Sequence, residues 1–400
     1  MTGSKSSPYS IYFHIPFCKK RCSYCDFNTY AGIEGLIPSY MEALRQEIKF
    51  VALSAPERLP VHTVFFGGGT PSLLPVDEYE KVFTTLHEFF NLANNAEVTI
   101  EANPGTLSLT YLQNLRFLGV NRLSLGMQSS QPGELRLLGR QHDFSAVANS
   151  VTWARQAGFE NLSLDLIFGI PGQTLDHWNE TVQQALNLSP EHLSLYALTL
   201  EQGTPLESWV TRGIVSAPDD DLAAEMYELA EAVLDKAGYA QYEISNWAKK
   251  DGQGDSFTCL HNLQYWRFLP YLGFGAGAHG FADQTRAANI LDPFRYIERM
   301  QTKGDVGLVF PSSPAVEESV IIERQQAIGE YMMMGLRLVE EGVSGLDFQR
   351  RFKTSFEAEF GKQIKKLRGK GLLEYDLDRQ LLRLTRRGRL LGNQVFCEFI

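Results

Sequence analysis

Residues 13–30 read FHIPFCKKRCSYCDFNTY and place three of the chain's five cysteines, Cys18, Cys22 and Cys25, within eight positions. They follow an apolar and aromatic run, SIYFHI (10–15), so the thiols are expected on a loop at the C-terminal end of a first strand. Runs of the same kind recur as HTVFFG, EVTIEA, RLSLGM, NLSLDLIFG and HLSLYALT. Helix-patterned segments separate them, among them SYMEALRQEIKFVAL, DEYEKVFTTLHEFF and DFSAVANSVTWARQAG. Six such β-α units imply a parallel α/β sheet, because parallel neighbours need a crossover between them. A doubly wound sheet and a partial barrel both satisfy the rhythm. Polar residues recur at the C-terminal ends of the strands, the edge where barrels gather their sites, and this favours a partial (β/α)6 barrel.

Composition bounds the rest. A chain of 400 residues with 44% hydrophobic content can bury one large core and an appendage. The opening MTGSKSSPYSIYF holds no apolar signal region, and no apolar run approaches the ~18 residues of a membrane span. An odd, clustered set of cysteines argues against a disulfide framework, so a soluble cytoplasmic protein in a reducing compartment is expected. The net charge of -10 argues against nucleic acid as a partner. From Gly345 to Gln394, however, 13 Lys and Arg face 6 Asp and Glu. That basic segment reads either as a solvated face or as the site of a transient contact peripheral to an anionic membrane. GTPLESWVTRGIVSAPDDD and VGLVFPSSPAVEES read as connections, giving segments 1–215, 216–310 and 311–400. The last ends in a helix, a turn and a two-strand wing, a smaller winged-helix-like α+β domain.

Three thiolates spaced C-x-x-x-C-x-x-C can hold three irons of a 4Fe-4S cluster and leave the fourth without a protein ligand. A zinc site completed by His14 or Asp26 is the alternative, although closed zinc sites use C-x-x-C pairs. With Tyr24 before the third thiol, the motif resembles that of the radical S-adenosylmethionine (SAM) superfamily. The resemblance implies that SAM binds the open iron and is cleaved by an electron from the cluster to methionine and a 5'-deoxyadenosyl radical. FFGGGTPS follows the second strand, where Gly67, Gly68 and Gly69 would let backbone approach a ligand closely and offer it their amides. It resembles the superfamily's SAM-binding loop and brings in Gly68, Gly69 and Thr70. Glu101 in TIEANP, Gln128 in LSLGMQS, Arg140 in LLGRQH and Asp165 in LSLDLIFGIPG stand at or near successive strand ends. Buried charge without a partner is costly, so four such groups support one another as one pocket. In order and spacing the motifs are similar to the oxygen-independent coproporphyrinogen III oxidase-like branch, over roughly residues 9 to 300. That resemblance implies that Tyr12, Gly68, Glu101, Gln128, Arg140 and Asp165 surround SAM, with Tyr24 beside the cluster.

Two features separate functions within that branch. The oxidases carry a further cysteine two residues after the third and a long N-terminal arm, whereas this chain has Phe27 and 17 residues before Cys18. CLHNLQYWRF (259–268) sets His261 and Tyr265, and Asn262 and Trp266, four apart, so on a helix they form two adjacent rows. Imidazole is a ligand of haem iron and aromatic rings offer a flat wall to a porphyrin; a core role for Tyr265 and Trp266 is the alternative. H-N-x-x-Y-W resembles the haem-binding signature of the radical SAM haem chaperones of the HemW type. The resemblance implies a protein that binds haem through His261, Asn262, Tyr265 and Trp266 and delivers it to recipient haemoproteins. It would carry a 4Fe-4S cluster on Cys18, Cys22 and Cys25, with bound SAM. The alternative is a radical SAM oxidase or decarboxylase acting on coproporphyrinogen III or another tetrapyrrole. Cys259 reads as a small buried residue, Cys397 has no assignable role, and a homodimer is left open.

Overall fold

A computed structural model describes residues 7–250, 256–302 and 309–400. The first six residues of the opening and the start of VGLVFPSSPAVEES lie outside the described residues. The chain gathers into two compact units, Met1–Ala232 with Pro270–Val320, and Val233–Leu269 with Ile321–Ile400. The stretch 216–310 is therefore divided between them.

In the first unit six strands run parallel in chain order: β1 (Tyr9–Ile15), β2 (Pro60–Gly68), β3 (Asn91–Ala102), β4 (Arg122–Gln128), β5 (Asn161–Phe168) and β6 (His192–Ala197). Each contains one of the six runs, and helices Ile37–Ser54, Val76–Phe89, Leu109–Phe117, Phe144–Gln156 and Leu175–Asn187 make the crossovers. This is the partial barrel that the rhythm implies. The strands alternate with period two. On β1, Ile11, Phe13 and Ile15 are fully buried on the helix side, and on β2 Phe66 meets the helix residues Tyr79 and Phe83 edge-on. The other face is polar. Thr63 Oγ1 donates to Ser10 Oγ (2.5 Å), and Ser163 Oγ on β5 is bonded to His192 Nδ1 on β6 (2.8 Å). A parallel sheet covered on both faces by apolar layers would read as unbroken hydrophobic runs. Here the alternation records a barrel whose interior is hydrophilic.

β1 has a second parallel neighbour, Tyr271–Phe274, followed by the antiparallel strands His279–Ala282 and Thr285–Asn289. A single buried carboxylate fastens this extension. Glu47 lies on the buried face of helix Ile37–Ser54 among Tyr40, Leu44, Ile48 and Val51. It accepts from Gly275 N (2.9 Å), Asn289 Nδ2 (2.7 Å), Tyr296 OH (2.7 Å) and Ser313 Oγ (2.8 Å). Burial nevertheless raises its carboxyl above the usual range.

The second unit holds the hairpin Tyr239–Glu243 with Asn246–Lys249, the helix Leu260–Trp266, and helices Arg324–Gly335, Gly345–Phe352 and Phe356–Gly369. An aromatic core of Tyr331, Phe348, Phe352 and Phe356 packs edge to face. The helix, turn and wing are present as Phe356–Gly369, Leu373–Asp376 and Leu381–Leu384. The wing has a third strand that the sequence did not announce, Val343–Ser344, which is only two residues long. Among the described residues no helix is long and apolar enough to cross a membrane.

Glu47→Leu should leave Gly275 N, Tyr296 OH and Ser313 Oγ without their acceptor and Asn289 Nδ2 with the Gly275 carbonyl alone, at a cost on the order of 3 kcal/mol. Thermal unfolding followed by circular dichroism should show a Tm lower by roughly 5 °C or more. An unchanged midpoint would mean that the extension does not depend on this carboxylate.

A candidate cluster and SAM cavity

At the C-terminal edge of β1–β6 opens a cavity of about 490 Å³. Cys18, Cys22 and Cys25 line it together with Tyr24, Gly68, Gly69, Thr70, Glu101, Gln128, Arg140 and Asp165. Eleven residues singled out from separate strand ends thus share one space. Tyr12 stands behind the wall on β1, where its hydroxyl donates to His14 Nδ1 (3.1 Å).

The cysteine loop is tied down on both sides. Ser23 N and Oγ donate to the carbonyls of Leu138 (3.1 Å) and Leu137 (2.6 Å), and Ser23 O accepts from Leu206 N (2.9 Å). His14 Nε2 donates to Asn28 O (2.8 Å), while Asn28 Nδ2 reaches the carbonyls of Ala276 (3.0 Å) and Leu291 (2.9 Å). Each thiol also has a polar neighbour: Thr70 Oγ1 lies 3.6 Å from Cys18 Sγ, Arg140 Nη1 3.6 Å from Cys22 Sγ, and Thr29 Oγ1 3.9 Å from Cys25 Sγ. Burial pushes the Cys18 and Cys25 thiols up, so both are neutral until a metal takes their protons. Among the described residues no group of three His, Cys, Asp or Glu side chains is arranged to hold a single metal ion. A 4Fe-4S cluster would take one thiolate from each of Cys18, Cys22 and Cys25 on a different iron, so the three sulfurs need not converge on one point.

The three glycines serve the protein's own packing more than a ligand. A Cβ on Gly67 would stand 3.0 Å from the Tyr12 ring, one on Gly68 2.6 Å from His14, and one on Gly69 2.7 Å from Phe17 O. Gly68 also has φ +108°, open only to glycine. The amides of Gly68, Gly69 and Thr70 are engaged within the protein: Gly68 N donates to Glu101 Oε2 (3.1 Å), Gly69 N to Ile15 O (2.9 Å) and Thr70 N to Phe17 O (2.8 Å). These bonds fix Glu101 and the chain at the first thiol.

The floor is acidic. Glu101 and Asp165 are half-buried at the cavity wall, and loss of solvent raises both carboxyls; Glu101 is pushed up to about 7, first by desolvation and second by Asp165. Ser124 Oγ lies 3.1 Å from each Asp165 oxygen, and Arg122, buried on the same strand, draws both acids back toward ionisation. Gln128 holds φ +65°, unusual for a residue with a side chain, at a register shift next to Gly126. Arg140 Nη2 donates to Gly126 O (2.8 Å), while its buried Nε finds no partner among the described residues. Two acids in a low-dielectric cavity and one orphaned guanidinium nitrogen fit SAM, which carries a sulfonium, an ammonium and a carboxylate. Sequence reading passed over Ser124 and Tyr196. Both occupy inward positions of the period-two pattern, in RLSLGM and HLSLYALT, which is the signal that finds them. Phe27 lies at the mouth, 63% exposed.

The remaining sequence-predicted residues lie in the other unit, on helix Leu260–Trp266. His261 is 1% exposed and its Nε2 is hydrogen-bonded to Tyr265 OH (2.8 Å), the rings meeting edge-on at 5.1 Å. Asn262, Tyr265 and Trp266 are half-buried. Cys259 is fully buried, as expected of a small apolar-like side chain.

A half-barrel with three thiols after its first strand and an acid-floored cavity beside them defines a radical SAM protein, and residues 12–185 match the Radical SAM superfamily while residues 322–391 match the HemN C-terminal domain. The chain belongs to the HemW family within that superfamily. It is 38% identical to the protein named Heme chaperone HemW of Bacillus subtilis, over 98% of this chain and 99% of that one, and 37% identical to its namesake in Lactococcus lactis, over 98% and 97%. The fold is that of the Escherichia coli coproporphyrinogen III oxidase HemN, a radical SAM enzyme, with a TM-score of 0.82 at 24% identity over 98% of this chain and 90% of that one.

Because Glu101 titrates near neutrality when the cavity is empty of cations, its ionisation lowers the stability of the ligand-free protein as pH rises from the ordinary carboxylate range to about 7. A cationic ligand binds the ionised form. SAM affinity should therefore rise between about pH 6 and about pH 8, and binding at the lower pH should release close to one proton. Titration calorimetry in buffers of different ionisation enthalpy reads that proton directly. The same release from Glu101→Gln would assign it to another group.

Proposed function

We propose that the chain is a haem chaperone: it binds haem and passes it to recipient haemoproteins, and it carries a 4Fe-4S cluster and SAM in the barrel cavity. The observation that carries this reading is the near-complete overlap, at 37–38% identity, with proteins named Heme chaperone HemW. Phe27 supports it, because an exposed phenylalanine at the cavity mouth replaces the extra cysteine of the oxidases.

The residues divide into two jobs. Cys18, Cys22 and Cys25 hold the cluster, which when bound supplies an open iron and a source of single electrons. Glu101, Asp165, Gln128 and Arg140 orient SAM, the acids matching its positive centres and Arg140 its carboxylate, with Gly68, Gly69 and Thr70 shaping the wall and Tyr12 and Tyr24 backing it. In the second unit His261 is the iron donor. Its Nε2 is held by Tyr265 in the haem-free protein, so haem must displace that hydroxyl before the imidazole can coordinate. Tyr265, Asn262 and Trp266 then line the macrocycle. Transfer takes place in the reducing cytoplasm, and a brief visit to a membrane surface through the basic C-terminal segment is compatible with it.

Anaerobically reconstituted protein should take up haem with a Soret band that His261→Ala shifts or abolishes. The same preparation, given SAM and reductant, should leave coproporphyrinogen III unchanged by chromatography. A decarboxylated product above reagent background would replace the chaperone reading with the oxidase.

A further inference from the structure

Trp266 ends the HNxxYW helix against a cation that makes no ion pair among the described residues. In the second unit the Arg337 guanidinium carbon lies 5.0 Å from the centre of the Trp266 ring and 4.6 Å from that of Phe396. Both rings offer their π-faces to the charge, which explains why it sits there but not what its hydrogen atoms do. Arg337 Nε is buried without a hydrogen-bond partner among the described residues, and so is Trp266 Nε1. Both groups are donors only, so neither can satisfy the other; an acceptor from outside has to do it. Leaving two buried N–H groups unpaired is costly, the more so when one belongs to a cation whose charge burial already disfavours.

The nearby acid does not fill the gap. Glu243 acts on Arg337 from the hairpin, but its oxygens accept from Ser245 N (3.1 Å) and from the Asn246 amide, and burial pushes its carboxyl up to about 7. With its oxygens engaged by its own hairpin, Glu243 makes no hydrogen bond to the guanidinium among the described residues. Phe396 and Trp266 are flat and apolar, and Arg337 and Trp266 are both half-buried, open enough for a group at the edge of a larger ligand to reach them. A planar cationic donor next to a second N–H, flanked by aromatic walls, is the chemistry that receives a carboxylate.

We propose that Arg337 and Trp266 together anchor a haem propionate, the guanidinium receiving its oxygens and the indole N–H completing the set. This rests on reading the HNxxYW helix as the haem site. It adds a residue outside the motif, from the turn that follows helix Arg324–Gly335, and gives Trp266 a polar task besides packing against the macrocycle. Water could also quench two donors, and the test separates water from a propionate.

Haem and haem dimethyl ester, which presents the same macrocycle and iron without carboxylates, are titrated into the full chain and followed by the Soret band. The parent should prefer haem over the ester by roughly 10- to 100-fold, the range of a charge-assisted hydrogen-bonded pair. Arg337→Met should lose that preference by weakening haem alone, while Trp266→Phe, which keeps a ring in place, should lose part of it. Thermal melts of both variants establish that they fold. Equal affinity of the parent for haem and ester would overturn the proposal, as would an Arg337→Met variant that weakens both ligands by one factor, since the arginine would then act through packing. A parent that takes up neither porphyrin would overturn the haem reading itself, and this anchor with it. That signature differs from binding retained without discrimination.

Discussion

Holding Glu101 and Asp165 close together on the wall of the cavity is the constraint around which the barrel is built. Two like charges in a low-dielectric cavity oppose each other's ionisation, and the surroundings answer with Gly68 N on Glu101, Ser124 on Asp165 and the Arg122 guanidinium on both. Ser124 and Arg122 are available because the inner positions of their strand are polar, and Gly68 offers a backbone amide at the end of β2. The same alternation sends the apolar side chains outward, where the crossover helices cover them. Local pattern, layer order and the character of the cavity thus follow from one requirement. Even with Arg122 and Arg140 close by, both carboxyls stay raised, which leaves the floor suited to the positive centres of the proposed ligand.

Arg140 connects this floor to the thiols. It donates to the Gly126 carbonyl, approaches Cys22 Sγ and stands within electrostatic reach of Tyr24 and Asp165. Donors near each sulfur matter for a cluster, because hydrogen bonds to its ligands help to set its potential. The loop that carries the thiols is anchored through Ser23 and Asn28 to other parts of the barrel unit, so the sulfur positions depend on the fold rather than on the short motif alone. The glycines at the end of β2 are packing requirements for the same region, since a Cβ on Gly68 or Gly69 would meet His14 or the Phe17 carbonyl.

The strand rhythm was legible because SIYFHI, RLSLGM and HLSLYA show the period-two alternation openly, and the thiol spacing was legible because few chemistries need it. Other features were not. Tyr271–Phe274 and its antiparallel neighbours are short and interrupted by glycines, and Val343–Ser344 is too short to carry a pattern. Glu47 sits in the apolar stripe of its helix, where a carboxylate looks misplaced until its four partners, more than two hundred residues away, are in view. The spacing of His261 and Tyr265 put them on one helical row, but that they are bonded to each other, with His261 buried, depends on the rest of the unit. Arg337 belongs to no motif, and only its position against Trp266 reveals it.

The central claim is that three thiolates hold a cluster with one iron left open to the acid-floored cavity. Electron paramagnetic resonance of the dithionite-reduced, fully loaded protein, recorded with and without saturating SAM, tests it most directly. The account predicts a cluster signal whose g-values move when SAM is added, and no such signal in Cys22→Ala. A fully loaded cluster with a spectrum indifferent to SAM, or an undiminished signal in Cys22→Ala, would contradict it.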